Sequence, residues 1–249
     1  MVFYQPGKTE HGLPHDPFKA CVVPRPIGWI STVSPTTGNG PNANATPIAN
    51  LAPYSQFNNL TFDPPYVMFS ANQTFAAERK DTVRNAEATG VFCWQLATYP
   101  LREAVNITAE QTPYGVDEFE RAGLEKVWST CLKIPVPMVK DSPVRFECEY
   151  YTTLRLPGNP PMGTVDVVIG KVVGIHISDS VLTNGLIDMS KTQPIARCGY
   201  FEYARITEKF EMIIPGDKAT LFGLEGSVKQ HKEFSETGRV HDEDEFKPS

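Results

Sequence analysis

The stretch Asn50-Leu51-Ala52-Pro53-Tyr54-Ser55-Gln56-Phe57-Asn58 mixes small residues, amides and rings without helical or strand periodicity. That composition suits a loop whose backbone lies against a flat, partly polar ligand. Further along, Arg79-Lys80-Asp81-Thr82 sets a cation pair, a helix-capping aspartate and a hydroxyl at an expected helix start. Unpaired N–H groups and the helix dipole favour an anion there. A cradle for a flat ring followed by a phosphate seat suggests a mononucleotide. On local sequence alone, Lys80-Asp81-Thr82 also reads as an ordinary capped helix start, and Tyr54 and Phe57 as core rings.

The elements that would hold these segments are mostly strands. Residues 1–20 are polar and rich in Pro, Gly and His, and read as an arm lying on the surface. Cys21–Val23 and Gly28–Ser34 read as strands separated by Pro24 and Pro26, with Arg25 held in an extended corner. Arg25 is then either an exposed turn arginine or a guanidinium aimed at a ligand. The turn cluster at residues 35–41 would close a hairpin onto residues 43–49. Tyr66–Ser70 and Val91–Leu96 read as buried strands, with a helix over Asp81–Ala88 stopped by Gly90. Short surface helices are expected over Pro100–Thr108 and Val116–Ala122.

In Val144–Thr152 the even positions Val144, Phe146, Cys148 and Tyr150 are apolar or aromatic, while Arg145, Glu147 and Glu149 are charged, which predicts a strand with one wet face. Val165, Val167, Ile169, Val173, Ile175 and Ile177 repeat the alternation on odd positions, with Gly170 and Gly174 marking bends in a long, curved strand. Ser190–Ile195 reads as a polar connection and Gly199–Tyr203 as a last strand. Many strands, few helices and abundant turn residues indicate a closed or split β-barrel over residues 21–224, followed by a polar, acidic tail over 225–249.

Composition narrows the function. The chain has 249 residues and a net charge of -6, which argues against nucleic acid as a partner. The start lacks the basic residues and apolar core of a signal peptide, and no run reaches membrane-spanning length. The five cysteines are widely spaced with no CxxC, so they read as buried free thiols in a reducing, cytoplasmic setting. No cluster has metal-ligand spacing, and no nucleophile–base pair supports hydrolysis.

Pro24-Arg25-Pro26-Ile27-Gly28-Trp29-Ile30-Ser31-Thr32, followed by Asn50 to Phe57, resembles the flavin reductase-like family of FMN-binding split barrels. The order continues with Asp63-Pro64-Pro65, Lys80-Asp81-Thr82 with Asn85, and Pro194-Ile195-Ala196-Arg197 with Gly199-Tyr200. The resemblance implies a mainly β, Greek-key split barrel with a few short peripheral helices, and a homodimer with FMN near its interface. It also implies hydride transfer from NADH or NADPH to flavin N5. Asn50, Leu51, Ala52 and Ser55 would border the isoalloxazine. Ser70, Arg79, Lys80 and Thr82 would hold the phosphate, and Arg25 joins them as a candidate cofactor residue. Short-chain reductases of this kind often carry a His before the Gly-Glu-Val of the long strand, whereas this chain has Val165-Asp166-Val167-Val168-Ile169-Gly170-Lys171-Val172. That departure keeps open an electron carrier or flavin store, and an FMN-dependent oxidase or oxygenase. His176 further along reads as a packed or hydrogen-bonded residue rather than a catalyst.

Overall fold

The computed structural model describes residues 1–35, 46–74, 76 and 78–210. The chain divides into a unit Met1–Thr207 and a unit Glu208–Ser249, and the fold below is that of the first. In chain order its elements are α1 (Phe18–Cys21), β1 (Arg25–Pro26), β2 (Gly28–Val33), β3 (Ala49–Tyr54), β4 (Phe57–Phe62), β5 (Pro65–Asn72), α2 (Asp81–Thr89), β6 (Val91–Gln95), α3 (Arg102–Ile107) and α4 (Glu118–Arg121). There follow β7 (Lys126–Trp128), β8 (Pro137–Val139), β9 (Val144–Leu156), β10 (Val165–Ile177), β11 (Leu182–Thr183), β12 (Leu186–Ile187), α5 (Met189–Thr192), β13 (Ile195–Arg197) and β14 (Tyr203–Arg205). The fold is mainly β with a few short helices, as the sequence predicts.

A seven-stranded antiparallel sheet runs in the order β3-β2-β6-β9-β10-β5-β4. Its two edge strands, β3 and β4, are consecutive in sequence and joined only by Ser55 and Gln56. So short a link can connect opposite edges only if the sheet curls round on itself, which makes it a barrel. The seam is tight. A Cβ on Gly28 of β2 would lie 2.7–2.9 Å from the Phe57 side chain of β4, so the absence of a side chain at Gly28 lets the edges meet. Inside, Phe57 stacks on Trp94 and Phe69 meets Phe92 edge-on, within a core that includes Ile30, Val67, Val168 and Val172.

Several expectations are corrected. The Asn50 stretch is a strand through Tyr54, paired with β2 from Gly28↔Tyr54 to Val33↔Ala49, rather than a loop. Its Pro and Asn residues obscure the period but are tolerated on an edge. The residues expected as a first strand, Cys21–Val23, instead end and follow α1, whose Ala20 and Cys21 N–H groups bond to Pro17 O. The last strands are displaced: β13 covers Ile195–Arg197, and Gly199 and Tyr200 form the turn before β14. The turn cluster from residue 36 to 41 and the acidic tail at 225–249 lie outside the described residues.

On β10 the buried positions are Asp166, Val168, Gly170 and Val172, so the odd apolar residues lie on the more exposed side. Register shifts with β9 at Ile169/Gly170 and Val172/Gly174 mark the bends expected at the two glycines. On β9, Glu147 is 0% exposed rather than wet. All five cysteines are free, yet only Cys93 and Cys148 are buried. Among the described residues no helix is long and apolar enough to cross a membrane.

Candidate functional site

The cradle and the seat meet in one cavity of about 130 Å³. One wall is the edge strand β3, through Asn50, Ala52, Pro53 and Tyr54, and the other is the start of α2, through Lys80, Asp81 and Thr82. Residues 108–112 and Glu118 close the third side. Each wall is pinned to the barrel. Trp29 on β2 donates its indole N–H to Thr108 Oγ1 at 2.9 Å, which fixes the connection after α3. Glu118 of α4 accepts the Leu51 N–H at 3.0 Å and the Thr112 hydroxyl at 2.7 Å. Tyr114 reaches Asn85 Oδ1 and lies under the Arg84 guanidinium.

Lys80 is the N-cap of α2 and supplies no side-chain cap; the Val83 N–H bonds to Lys80 O at 3.0 Å, and among the described residues the Asp81 and Thr82 N–H groups are left for a ligand. Its ammonium is half-buried, and burial pulls its pKa down, while Asp81 opposes the shift. Among the described residues it forms no ion pair. Asp81 was expected as the cap but is the first helical residue, and its carboxyl bonds to no backbone N–H. Burial holds that carboxyl above its ordinary value, against the pull of Arg84 and Lys80. Burial likewise raises Glu118, against the Leu51 N–H and the Thr112 hydroxyl, with Asp81 adding to the rise. Burial raises the Tyr54 phenol despite its hydrogen bond with Thr82.

Of the residues expected to hold a cofactor, Asn50, Ala52, Lys80 and Thr82 line this cavity. Thr82 is 1% exposed and accepts from Asn50 Nδ2 at 2.9 Å, so its hydroxyl ties β3 to α2. The others stand elsewhere. Arg79 is clamped by Glu87 at 2.6 and 2.7 Å and by Asp166 at 2.9 Å, two carboxylates that take up its charge. Arg25 is not a free turn arginine: it donates to the carbonyls of Lys19, Val22 and Cys198, stapling the α1 turn to the end of β13. Leu51 is fully buried and its N–H is taken by Glu118. Ser55 lies in the link between β3 and β4, beside Gln56, and Ser70 on β5 bonds through its N–H to Gln56 O at 2.8 Å.

Sequence reasoning missed Glu118 and the 108–112 wall. α4 reads as an ordinary surface helix, and nothing local separates buried Glu118 from exposed Glu120. His176 bonds to Glu147 Oε1 at 2.6 Å, away from the cavity lining. Among the described residues no group of His, Cys, Asp or Glu is arranged to hold a metal.

Residues 20–195 match the model of the flavin reductase like domain. An uncharacterized protein of Aquifex aeolicus is 34% identical over 185 residues, which is 74% of this chain and 85% of that protein. The crystal structure of nitrilotriacetate monooxygenase component B from Bacillus cereus superimposes with a TM-score of 0.72 at 31% identity, covering 85% of this chain and 98% of that one. An FMN-binding protein from Thermus thermophilus shares the fold with a TM-score of 0.58 at 15% identity, covering 86% of this chain and 100% of that one. The chain therefore belongs to the flavin reductase like family, and its barrel is the split barrel of that family.

Proposed function

We propose that this flavin-related oxidoreductase binds FMN in the β3–α2 cavity and passes electrons to it from NADH or NADPH. The observation that carries the reading is the half-buried, unpaired Lys80 ammonium beside the uncapped start of α2, a combination suited to a phosphate. Asn50, Ala52 and Tyr54 on the β3 edge would lie along the ribityl chain and ring. When bound, FMN supplies hydride-accepting chemistry at N5. The chain's own groups bind and orient: Lys80 and the α2 N–H groups hold the anion, and Asn50, Thr82 and Tyr54 lock the wall against which the cofactor rests.

A cavity of about 130 Å³ is small beside the several hundred cubic ångströms of typical ligand sites, and it suits the phosphate end rather than the tricyclic ring. We infer a homodimer in which a second copy completes the site. The exposed Tyr151, Leu154 and Leu156 of β9 offer surface for it. Light scattering on the FMN-loaded protein at micromolar concentration tests this, and a monomer mass contradicts it.

Anaerobic stopped-flow mixing of the FMN-loaded protein with NADH or NADPH tests the enzyme reading. Fast bleaching of the flavin band with either donor is expected. The second reading, an electron carrier, is favoured by the binding of His176 to Glu147 and by the lack of another histidine on β10. Bleaching by neither donor would select it.

A further inference from the structure

A second cavity, of about 340 Å³, lies between α3 and the β13–β14 hairpin. Its walls are apolar at Val105, Ile195 and Ala204, and its mouth carries Tyr99 and the Phe201 ring, which is 91% exposed. Two guanidiniums share the Tyr99 ring, Arg102 at 4.3 Å and Arg205 at 4.4 Å from its centre.

The charges at this mouth are unbalanced. Arg102 donates to Tyr99 O at 3.0 Å and pairs with Glu103 at 3.4 Å, an exposed pair of the kind that contributes little. Arg205 donates to Gln193 Oε1 at 2.9 Å, a neutral amide, and among the described residues it has no carboxylate partner. A guanidinium carries five N–H donors in a planar fork, so most of the Arg205 fork is unspent. Arginine–tyrosine stacking alone would explain how β14 is held to α3, but it would not explain an apolar cavity beside an uncompensated cation. A fork of this shape matches a carboxylate in two-point contact, and the rings and aliphatic walls match a flat hydrocarbon. The volume is near the lower end for ligand sites, enough for one ring with its acid group.

We propose that this cleft is a binding site for a small aromatic carboxylate, distinct from the β3–α2 cavity. The two cavities flank the end of α3: Asn106 lines one and Thr108 the other. The proposal does not depend on the FMN reading.

The test is calorimetric titration of the full chain with benzoate, before and after saturation with FMN. Benzoate is expected to bind in both conditions, whereas benzamide, which lacks the charge, and cyclohexanecarboxylate, which lacks the flat ring, bind at least about tenfold more weakly. Arg205→Gln should weaken benzoate about tenfold or more, the loss expected when a charge-assisted hydrogen bond is removed, with the melting temperature unchanged. Arg205→Lys keeps the charge without the fork and should fall between the two. No benzoate binding at millimolar concentration overturns the proposal, as does binding abolished by FMN or unchanged in Arg205→Gln. Tighter binding of phenyl phosphate than of benzoate would overturn the assignment to a carboxylate.

Discussion

Two buried carboxylates, Glu147 on β9 and Glu118 on α4, face opposite demands. Glu147 is 0% exposed, and every donor around it is spent on it: the Thr130 and Cys131 N–H groups at 2.7 and 2.8 Å, the Thr130 hydroxyl at 3.0 Å, the Cys131 thiol at 2.9 Å and His176 Nε2 at 2.6 Å. Burial pushes its pKa up, but the Cys131, Thr130 and His176 hydrogen bonds outweigh that and hold it at about 2. Glu118 has the Leu51 N–H and the Thr112 hydroxyl, too few donors to offset its burial, and its pKa is raised. A region whose polar groups are all satisfied internally is scaffold. Capacity left over, in Lys80, the Asp81 and Thr82 N–H groups and a carboxyl held above its ordinary value, is what the proposed phosphate seat rests on.

The sharpest way to break the comparison is to empty the first region. Glu147→Ala strands the Thr130 and Cys131 N–H groups and the His176 ring, and should cost about 3–5 kcal/mol. A urea titration reads this, while FMN affinity of the folded fraction should stay within about threefold. A loss of stability below about 1 kcal/mol would show that Glu147 is not the clasp that holds residues 130–131 to the barrel.

The second region should answer in the reverse sense. Lys80→Ala should raise the FMN dissociation constant by about one to two orders of magnitude, from the loss of a charge-assisted contact, with little change in the melting temperature of the apo-protein. Equal weakening of riboflavin would place Lys80 near the ring or in the scaffold. At the barrel seam, Gly28→Ala should cost about 1–3 kcal/mol through overpacking against Phe57, measured by the same urea titration. A neutral outcome would mean that the seam can open.

The smallest effect is in the pH dependence, where the two carboxylates carry opposite signs. Glu147 lies below its ordinary value, so its stabilisation is complete above about pH 4.5 and is lost as the pH falls toward about 2. Glu118 lies above its ordinary value, so its contribution is complete below about pH 4.5 and is lost as the pH rises through its folded value. Glu118→Gln should therefore gain stability relative to the parent as the pH rises above about 4.5. Parallel urea midpoints over that range would contradict it.

Much of this was legible in the chain. The apolar runs of β5 and β6, the alternation in β9 and Gly90 at the end of α2 each placed an element. The local mixture at Asn50 and the cations at Arg79-Lys80 together located the cavity walls. What failed failed for nonlocal reasons. Asn50–Tyr54 looks aperiodic because β3 is the last strand of the sheet and lines a cavity. Arg79 carries the same local signal as Lys80, and its pairing with Glu87 and Asp166, one of them far along the chain, is not visible locally. The buried role of Glu147 depends on the 130–131 backbone folding over it, and that of Glu118 on the position of the Leu51 N–H. Side-chain alternation records neither. On β10 the apolar odd positions are the more exposed ones and the even positions Asp166, Val168, Gly170 and Val172 are buried, because residues of both parities are apolar and local counting does not show which face the barrel encloses.

The central claim, that the start of α2 seats the phosphate of a flavin mononucleotide, is tested most directly by titrating the unaltered protein with FMN and with riboflavin and following the quenching of flavin fluorescence. The two ligands share the ring and ribityl chain and differ only in the phosphate. The account predicts that FMN binds tighter by about one to two orders of magnitude. Equal dissociation constants for the two flavins, or no binding of FMN, would contradict it.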